Sequence, residues 1–159
     1  MENWSRAIEA GRRGAEFHRV HPASDARLAH SACEELFLMG MPRLNVLLGG
    51  RDEVVRLVLR TLLSHAEKPI ASWFPGEPFS PPPADWTGTL VLHEVGALGI
   101  REQIRLLEWS GVGRAQVISS TPAPLLPRVT AGAFIDTLYY RLNTVYLDVT
   151  GVEEPLTTD

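Results

Sequence analysis

The sequence predicts an α/β domain in which helices cover both faces of a mostly parallel sheet of five strands. Residues 88–95 (GTLVLHEV) join an apolar run to a polar end, which is typical of a central strand buried on both faces. Residues 44–65 give a strand, a glycine turn and an amphipathic helix, which is how a βαβ unit begins. Sheets of this kind bind ligands at the carboxyl ends of their strands, where His93 and Glu94 would lie.

Length and composition fit one globular domain and exclude several classes of function. The chain has 159 residues, of which 45% are apolar and 21% charged. A net charge of −4 gives no electrostatic basis for binding DNA or an anionic membrane, and no apolar run reaches the ~18 residues of a membrane span. The first residues lack the apolar region of a signal peptide, and Cys33 is the single cysteine, so we expect a cytoplasmic protein without disulfides.

Three parts are predicted along the chain: an N-terminal arm over residues 1–20, an α/β core over residues 21–150 and a C-terminal tail over residues 151–159. The core begins with a helix that Ser24 or Asp25 caps and that extends to Met39. Cys33 falls within this helix, where we expect it to pack as a small apolar side chain.

The first half of the core continues with two strands that flank a helix. In order, the predicted segments are the strand Leu44–Leu48, the turn Gly49–Asp52, the helix Glu53–His65 and the strand Pro69–Phe74. Residues 75–83 then contain five prolines, which excludes regular structure and predicts a linker. Within it, residues 78–81 also match a PxxP ligand, a common pattern that we regard as the weaker interpretation.

The second half of the core holds three more strands. After the strand 88–95 we predict a helix that begins at Leu98 and that Gly111 and Gly113 end. The segments predicted after it are the strand Ala115–Thr121, a short helix or turns over Leu125–Phe134, the helix Asp136–Arg141 and the strand Thr144–Val149. Five strands with helices between them complete the predicted α/β arrangement.

Several segments resemble the AAA+ domain of sigma-54-dependent transcriptional activators. GTLVLHEV is similar to that family's Walker B strand, GTLFLDEI, and the Leu98…Gln103…Leu106-Leu107 pattern that follows is similar to its next helix. Residues 46–49 match the strand before its phosphate loop, residues 117–121 match its sensor I strand, and residues 132–143 are close to its G.FREDLYYRLN segment. The similar segments keep the family's order over roughly residues 22–150.

This resemblance implies the three-layer α/β/α fold of P-loop NTPases, with strand order 5-1-4-3-2 and an ancestral site for ATP and Mg²⁺. The 75–83 linker stands where the family has the GAFTGA loop that contacts the sigma factor. Because the chain ends soon after its fifth predicted strand, we expect it to lack the family's helical lid and DNA-binding helix-turn-helix. It is identified as a truncated and degenerate member.

The phosphate-loop segment departs most from the family. An active P-loop wraps phosphates with about eight glycine-rich residues and a lysine. Here Gly49, Gly50, Arg51 and Asp52 are all that connect strand to helix, and Lys68, the only lysine, follows the helix. An aspartate at this helix end would repel a triphosphate, although Asp52 also fits a simple N-cap.

The Walker B position departs as well. His93 replaces the family's Mg²⁺-binding aspartate, and a neutral imidazole is a poor Mg²⁺ ligand. Glu94 keeps the position of the family's water-activating carboxylate, but as a lone carboxylate we expect it to cap or pair. A metal site of His93 with His65 or His30 fits no ligand spacing, so no metal is predicted. A catalytic His93–Glu94 pair would converge only if the strand ended between them.

Two further catalytic positions of the family are altered. Near Thr121 the sensor I asparagine is replaced, and Arg141 is the one arginine left in the LYYRLN segment. Arginine fingers stabilise phosphoryl charge across subunit interfaces. For Arg141 we favour instead a structural pairing with Asp136 or Asp148.

These departures predict a protein without ATPase activity, without a cofactor and without catalytic residues. The favoured hypothesis is a regulatory or protein-interaction component in bacterial transcription or signalling, whose partner could be an intact AAA+ activator or a signalling protein; oligomerisation is left open. The nucleotide site would be vestigial, comprising Gly49, Gly50, Arg51, Asp52, His93, Glu94, Thr121 and Arg141. The alternative is an ATP-binding subunit of a sigma-54-dependent regulator, with weak or partner-dependent binding of ATP and Mg²⁺. An unrelated enzyme on the same scaffold is the least favoured hypothesis.

Overall fold

The fold is seen in a computed structural model that describes residues 44–112 and 114–149. The predicted arm, the helix that contains Cys33 and the C-terminal tail lie outside the described residues. Their boundaries therefore stay predictions.

The described residues form five strands and four α-helices. In chain order they are β1 (Val46–Gly49), α1 (Asp52–His65), β2 (Ile70–Trp73), β3 (Thr89–Leu92), a 3-10 turn (Val95–Ala97), α2 (Ile100–Val112), β4 (Gln116–Thr121), α3 (Leu126–Thr130), α4 (Asp136–Leu142) and β5 (Val145–Asp148). All pairings are parallel, and the sheet order is β2-β3-β4-β1-β5. The predicted α/β fold and its strand order are confirmed.

The central strands are buried along their whole length. Every residue of β1, β3 and β4 is buried, as expected for parallel strands covered on both faces. Gly88, just before β3, allows the chain to pass close to β2, since a Cβ there would collide with the carbonyl oxygen of Pro69 and the ring of Trp86. The close approach places β3 beside β2 in the observed register.

Helices cover the two faces of the sheet unequally. On one face α1 packs five buried residues against β1, β3, β4 and β5: Val54, Val55, Val58, Leu59 and Leu62. On the other face α2, α4 and the segments beside them bury a second cluster that includes Leu106, Leu138 and Phe134. Full burial of one such side chain contributes about 1.5–3 kcal/mol, so both clusters are needed to hold the sheet.

The proline-rich segment between β2 and β3 is a packed crossover. Its Phe79 is 4% exposed and meets Trp73 edge-on, with 6.3 Å between ring centroids. The indole nitrogen of Trp73 donates to the carbonyl of Glu77 at 2.9 Å, and Trp86 packs against Trp109 of α2. The segment has no helix or strand, as predicted, and the aromatic residue of the PxxP match, Phe79, lies inside the core.

A buried glutamine ties α2 to the loop before α4. Gln103 is fully buried, and its amide nitrogen donates to the carbonyls of Leu98 and Ala133 at 2.9 and 3.1 Å. Its amide oxygen accepts the backbone N–H of Ile135 at 2.9 Å. Since buried polar groups must be hydrogen-bonded, this side chain fixes the loop against the helix.

The strand β3 ends earlier than the sequence predicts, and its backbone gives the reason. We predicted a strand through residue 95, but β3 ends at Leu92. Glu94 has φ 48° and ψ 59°, a left-handed conformation that no strand continues, and it begins the 3-10 turn. Among the described residues, no helix is both long and apolar enough to cross a bilayer.

Candidate functional site

The candidate site is a cleft at the carboxyl edge of the sheet, between β1 and β4. It has a volume of about 190 Å³ including its open mouth, and its lining residues are Gly50, Asp52, Val55, Glu94, Ser120, Thr121 and Pro122. The chain leaves β1 toward β2 on one side and leaves β4 toward β5 on the other. The cleft therefore lies at the topological switch point, where open α/β sheets bind ligands.

The turn from β1 into α1 is only two residues long, Gly50 and Arg51. The backbone N–H of Gly50 donates to the carbonyl of Thr121 at 3.0 Å, so this amide is already paired within the protein. Arg51 caps the helix with extended backbone and makes no side-chain capping hydrogen bond. Gly49, the last residue of β1, has the Tyr146 hydroxyl where a Cβ would stand.

Asp52 is the first residue of α1, and the prediction that it is an N-cap is wrong. An N-cap must leave helical geometry, and Arg51 does so with φ −63° and ψ 145°. The Asp52 carboxylate instead pairs with the Arg56 guanidinium one turn later, at 2.6 Å. Both side chains are exposed, so the pair adds little stability, although the negative charge suits the positive end of the helix dipole.

His93 is not among the residues that line the cleft, and its ring stacks on Phe74. Their rings are nearly parallel, 7° apart, with centroids separated by 4.1 Å. The backbone N–H of His93 donates to the carbonyl of Trp73 at 3.0 Å, which extends the pairing of β2 and β3. Burial lowers the pKa of the His93 imidazole; Asp52 opposes this shift, Arg56 adds to it and Glu94 opposes it. The neutral ring is therefore favoured.

Glu94 lines the cleft, as Asp52 does. Its left-handed backbone costs a non-glycine residue about 1–2 kcal/mol. The backbone N–H donates to the Ser120 hydroxyl at 3.1 Å, and the carbonyl accepts the N–H of Ala97. Ser120 was missed by the sequence analysis, although its place beside Thr121 at the end of a buried strand could have indicated it.

The structure does not bring His93 and Glu94 together as an acid–base pair. β3 ends before both residues, and Glu94 lines the cleft while His93 stacks outside it. Within the part of the chain that the structure describes, no three His, Cys, Asp or Glu side chains group as metal ligands. His65 ends α1, whose first residue Asp52 lines the cleft, and His30 lies outside the described residues.

Thr121 lines the cleft, but its hydroxyl and its carbonyl both form hydrogen bonds with backbone groups. Its hydroxyl donates to the carbonyl of Ala123 at 2.5 Å, and its carbonyl accepts the Gly50 N–H. A threonine held in this way fixes the turn after β4.

Arg141 lies on α4, outside the set of residues that line the cleft. Its Nη1 donates to the Leu107 carbonyl at 2.7 Å and to the Ser110 hydroxyl at 3.2 Å, both on α2. We expected a carboxylate partner, Asp136 or Asp148, but these hydrogen bonds run to neutral oxygen atoms. Gly111 provides the space, since a Cβ there would lie 3.0 Å from Nη1. Arg141 thus holds α4 against α2.

The charged side chains that line the cleft are two carboxylates, although Arg56 pairs with one of them. Asp52 and Glu94 both line it, and Lys68, the chain's only lysine, immediately precedes the Pro69-Ile70 start of β2 at the opposite, amino edge of the parallel sheet. α1, of 14 residues, spans about 20 Å between these two edges. The residues present do not match the cation-rich, amide-rich cradle that a polyphosphate with Mg²⁺ requires.

Comparison with known proteins gives a partial sequence relationship and a clear fold. No protein-family model matches the sequence. The sequence is similar to the transcriptional regulatory protein ZraR of Escherichia coli (strain K12), with 38% identity over an alignment of 80 residues. The match covers 42% of this chain and 18% of ZraR. This similarity supports a relationship to the AAA+ domain of sigma-54 activators.

Among solved structures the chain is similar to NtrX from Brucella abortus. The ATP complex of NtrX aligns with a TM-score of 0.61 at 17% identity, covering 91% of this chain and 42% of NtrX. The ADP complex aligns with a TM-score of 0.61 at 18% identity, covering 92% and 41%. At such identity the likeness shows the fold. The chain spans less than half the length of NtrX, and its match to ZraR covers less than a fifth of that protein.

Proposed function

We propose that this chain is a non-catalytic AAA+ module that acts through contacts with another protein in bacterial transcription or signalling. The observation that carries the proposal is the short turn between β1 and α1. Gly50 and Arg51 leave no loop to wrap a phosphate, and the Gly50 amide is paired with Thr121. Phosphate binding at a strand-to-helix turn depends on several free backbone N–H groups of a longer loop, and the Gly50 amide is not free here.

Charge at the cleft supports the same proposal. Asp52 stands at the first position of α1 and Glu94 lies opposite, so an entering triphosphate would meet two carboxylates. Like charges repel, but Asp52 is exposed and paired with Arg56, so solvent and that guanidinium screen its part of the repulsion. No lysine of this chain offsets that repulsion, because Lys68 precedes β2 at the other edge of the sheet.

The size of the cleft also supports it. Ligand pockets for small molecules are typically about 300–1,000 Å³. The cleft of about 190 Å³, open mouth included, falls below that range. The regulatory role itself comes from the relationship to ZraR, whose name describes a transcriptional regulatory protein.

Calorimetric titration of the full chain with ATP and Mg²⁺ tests the proposal. We expect no heat of binding at nucleotide concentrations up to about 1 mM, which corresponds to a binding free energy weaker than about −4 kcal/mol. A parallel assay of released phosphate should match the rate without protein. Micromolar binding with turnover would refute the proposal.

The second candidate is an ATP-binding subunit that does not turn its nucleotide over alone. It is favoured by the position of the cleft at the switch point and by the fold shared with NtrX, which was solved with ATP. Saturable ATP binding without phosphate release in the same titration would select this candidate. Replacement of Glu94 by Gln should then tighten ATP binding, because one of the two carboxylates is neutralised.

A further inference from the structure

We propose that the outward face of α2 is a docking surface for an acidic amphipathic helix of a partner protein. We call this surface the α2 stripe and define it by Ile100, Ile104, Arg101 and Arg105. The inference rests on the proposed function, and it adds the location of the contact and the chemistry of the partner.

The apolar part of the α2 stripe is a pair of isoleucines one turn apart. Ile100 is 45% exposed and Ile104 is 43% exposed, and residues four apart on a helix are neighbours. Leu107, which is half-buried, continues the same line at the next turn. Single exposed apolar residues are ordinary, but a line at this spacing is what an amphipathic partner helix packs against.

The charged part of the stripe is positive. Arg101 and Arg105 are both exposed and lie beside the isoleucines, also four residues apart. Like charges at this spacing destabilise a helix, and an acidic partner would remove that repulsion. Glu108 is the one carboxylate on this face, because Glu102 turns back to accept the N–H of Gly99 at 2.9 Å. The chain as a whole carries −4, so the positive stripe is a local reversal of sign.

The opposite face of α2 holds the stripe in place. Gln103, Leu106 and Trp109 are buried against the rest of the protein, and Gln103 hydrogen-bonds the loop at Ala133 and Ile135. Arg141 bonds the last turns of the helix at Leu107. A surface that is rigid before binding loses less conformational entropy when a partner docks.

The test uses the full chain and two synthetic helical peptides of about 14 residues. One carries leucines at i, i+4 and i+7 with glutamates at the exposed positions, and its twin carries lysines in place of the glutamates. Fluorescence anisotropy should show the acidic peptide binding at least about 10-fold more tightly, with the difference shrinking as salt is raised. Equal binding of the two peptides, or no binding of the acidic one at about 1 mM, overturns the proposal.

Variants locate the site. Arg101→Glu with Arg105→Glu should weaken the acidic peptide at least about 10-fold, and Ile104→Gln should weaken both peptides. The matched control is Leu57→Ser with Arg60→Glu on α1, where Leu57 is 47% exposed, and it should bind like the parent chain. An equal loss in the control overturns the assignment to α2. Circular dichroism verifies that each variant is folded. If the charge reversal unfolds the protein, Ile104→Gln, which retains both arginines, still tests whether the peptides bind at the α2 stripe.

This experiment is independent of the nucleotide titration. Failure of the peptides to bind removes the α2 stripe and leaves the absence of ATPase activity untouched. Micromolar ATP turnover would remove the non-catalytic proposal and leave a measured peptide contact in place.

Discussion

The backbone N–H of Gly50 donates to the carbonyl of Thr121 at 3.0 Å, which closes the turn after β1 against the end of β4. Both residues stand at positions where the resemblance places nucleotide-binding groups. Here they bind one another across the switch point of the sheet. One backbone hydrogen bond thus occupies the amide of Gly50 in the turn that corresponds to the phosphate loop.

A cation at the helix start should therefore fail to restore nucleotide binding. We expect Asp52→Lys, which reverses the charge at the first position of α1, to remain without measurable ATP binding in calorimetry with Mg²⁺. The turn is still too short to wrap phosphates, and the Gly50 amide is still paired. Arg60→Lys, an exposed change on the same helix, serves as the control. Submillimolar binding by the Asp52 variant alone would show that charge, and not the turn, excludes the nucleotide.

Loss of the Gln103 side-chain amide should destabilise the fold strongly. Gln103→Leu keeps the volume but leaves the Leu98 and Ala133 carbonyls and the Ile135 N–H without their partner. We expect the free energy of unfolding in urea to fall by about 2–4 kcal/mol. Glu108→Gln, exposed on the same helix, should change it by less than about 0.5 kcal/mol. Similar losses for the two variants would contradict the role given to Gln103.

Truncation of Phe79 should reveal that the proline-rich crossover is part of the core. Phe79→Ala should lower the free energy of unfolding by about 3–5 kcal/mol, because the ring is buried against Trp73. Phe74→Ala is the matched control: that ring is 48% exposed and its stacking on His93 is worth about 0.5–1.5 kcal/mol. Chemical denaturation compares the two. If Phe79→Ala lowered the free energy of unfolding less than Phe74→Ala does, the crossover would be a loose linker.

Stability should depend on pH through His93. Burial lowers the native pKa of His93 below its ordinary value of 6.5, so the unfolded chain binds the proton more readily. The contribution of the neutral His93 ring to the free energy of unfolding is complete above the pKa of the unfolded chain. It is lost as pH falls from about 6.5 toward the native pKa. Compared with His93→Gln, the parent chain should lose stability over that interval in urea titrations.

Nuclear magnetic resonance gives a direct measure of the same group. The His93 ring protons should titrate below the value of 6.5. Phe74→Ala should move the native pKa upward, because the ring that shields His93 from water is removed. A native pKa above 6.5 would reverse the sign of the predicted pH dependence.

Hydrophobic pattern predicted the five strands, and the family resemblance implied the strand order β2-β3-β4-β1-β5 that the structure shows. They worked because a buried parallel strand needs a continuous apolar run, and because the polar ends of such strands meet at one edge of the sheet. Glu94, Thr121 and the Gly50 turn were found in this way. The lack of a lysine near that turn is also visible in the sequence alone.

Only the tertiary structure decided which groups meet which. Arg141 bonds Leu107 on α2, 34 residues away, Phe79 enters the core from a proline-rich segment, and the Gly50 amide meets Thr121. The Arg141 and Gly50 contacts join residues far apart in the chain, and their partners are backbone groups that every residue carries, whereas Phe79 packs against the side chain of Trp73. Local periodicity and side-chain type hold no information about such partners, so packing of the sheet against its helices sets them.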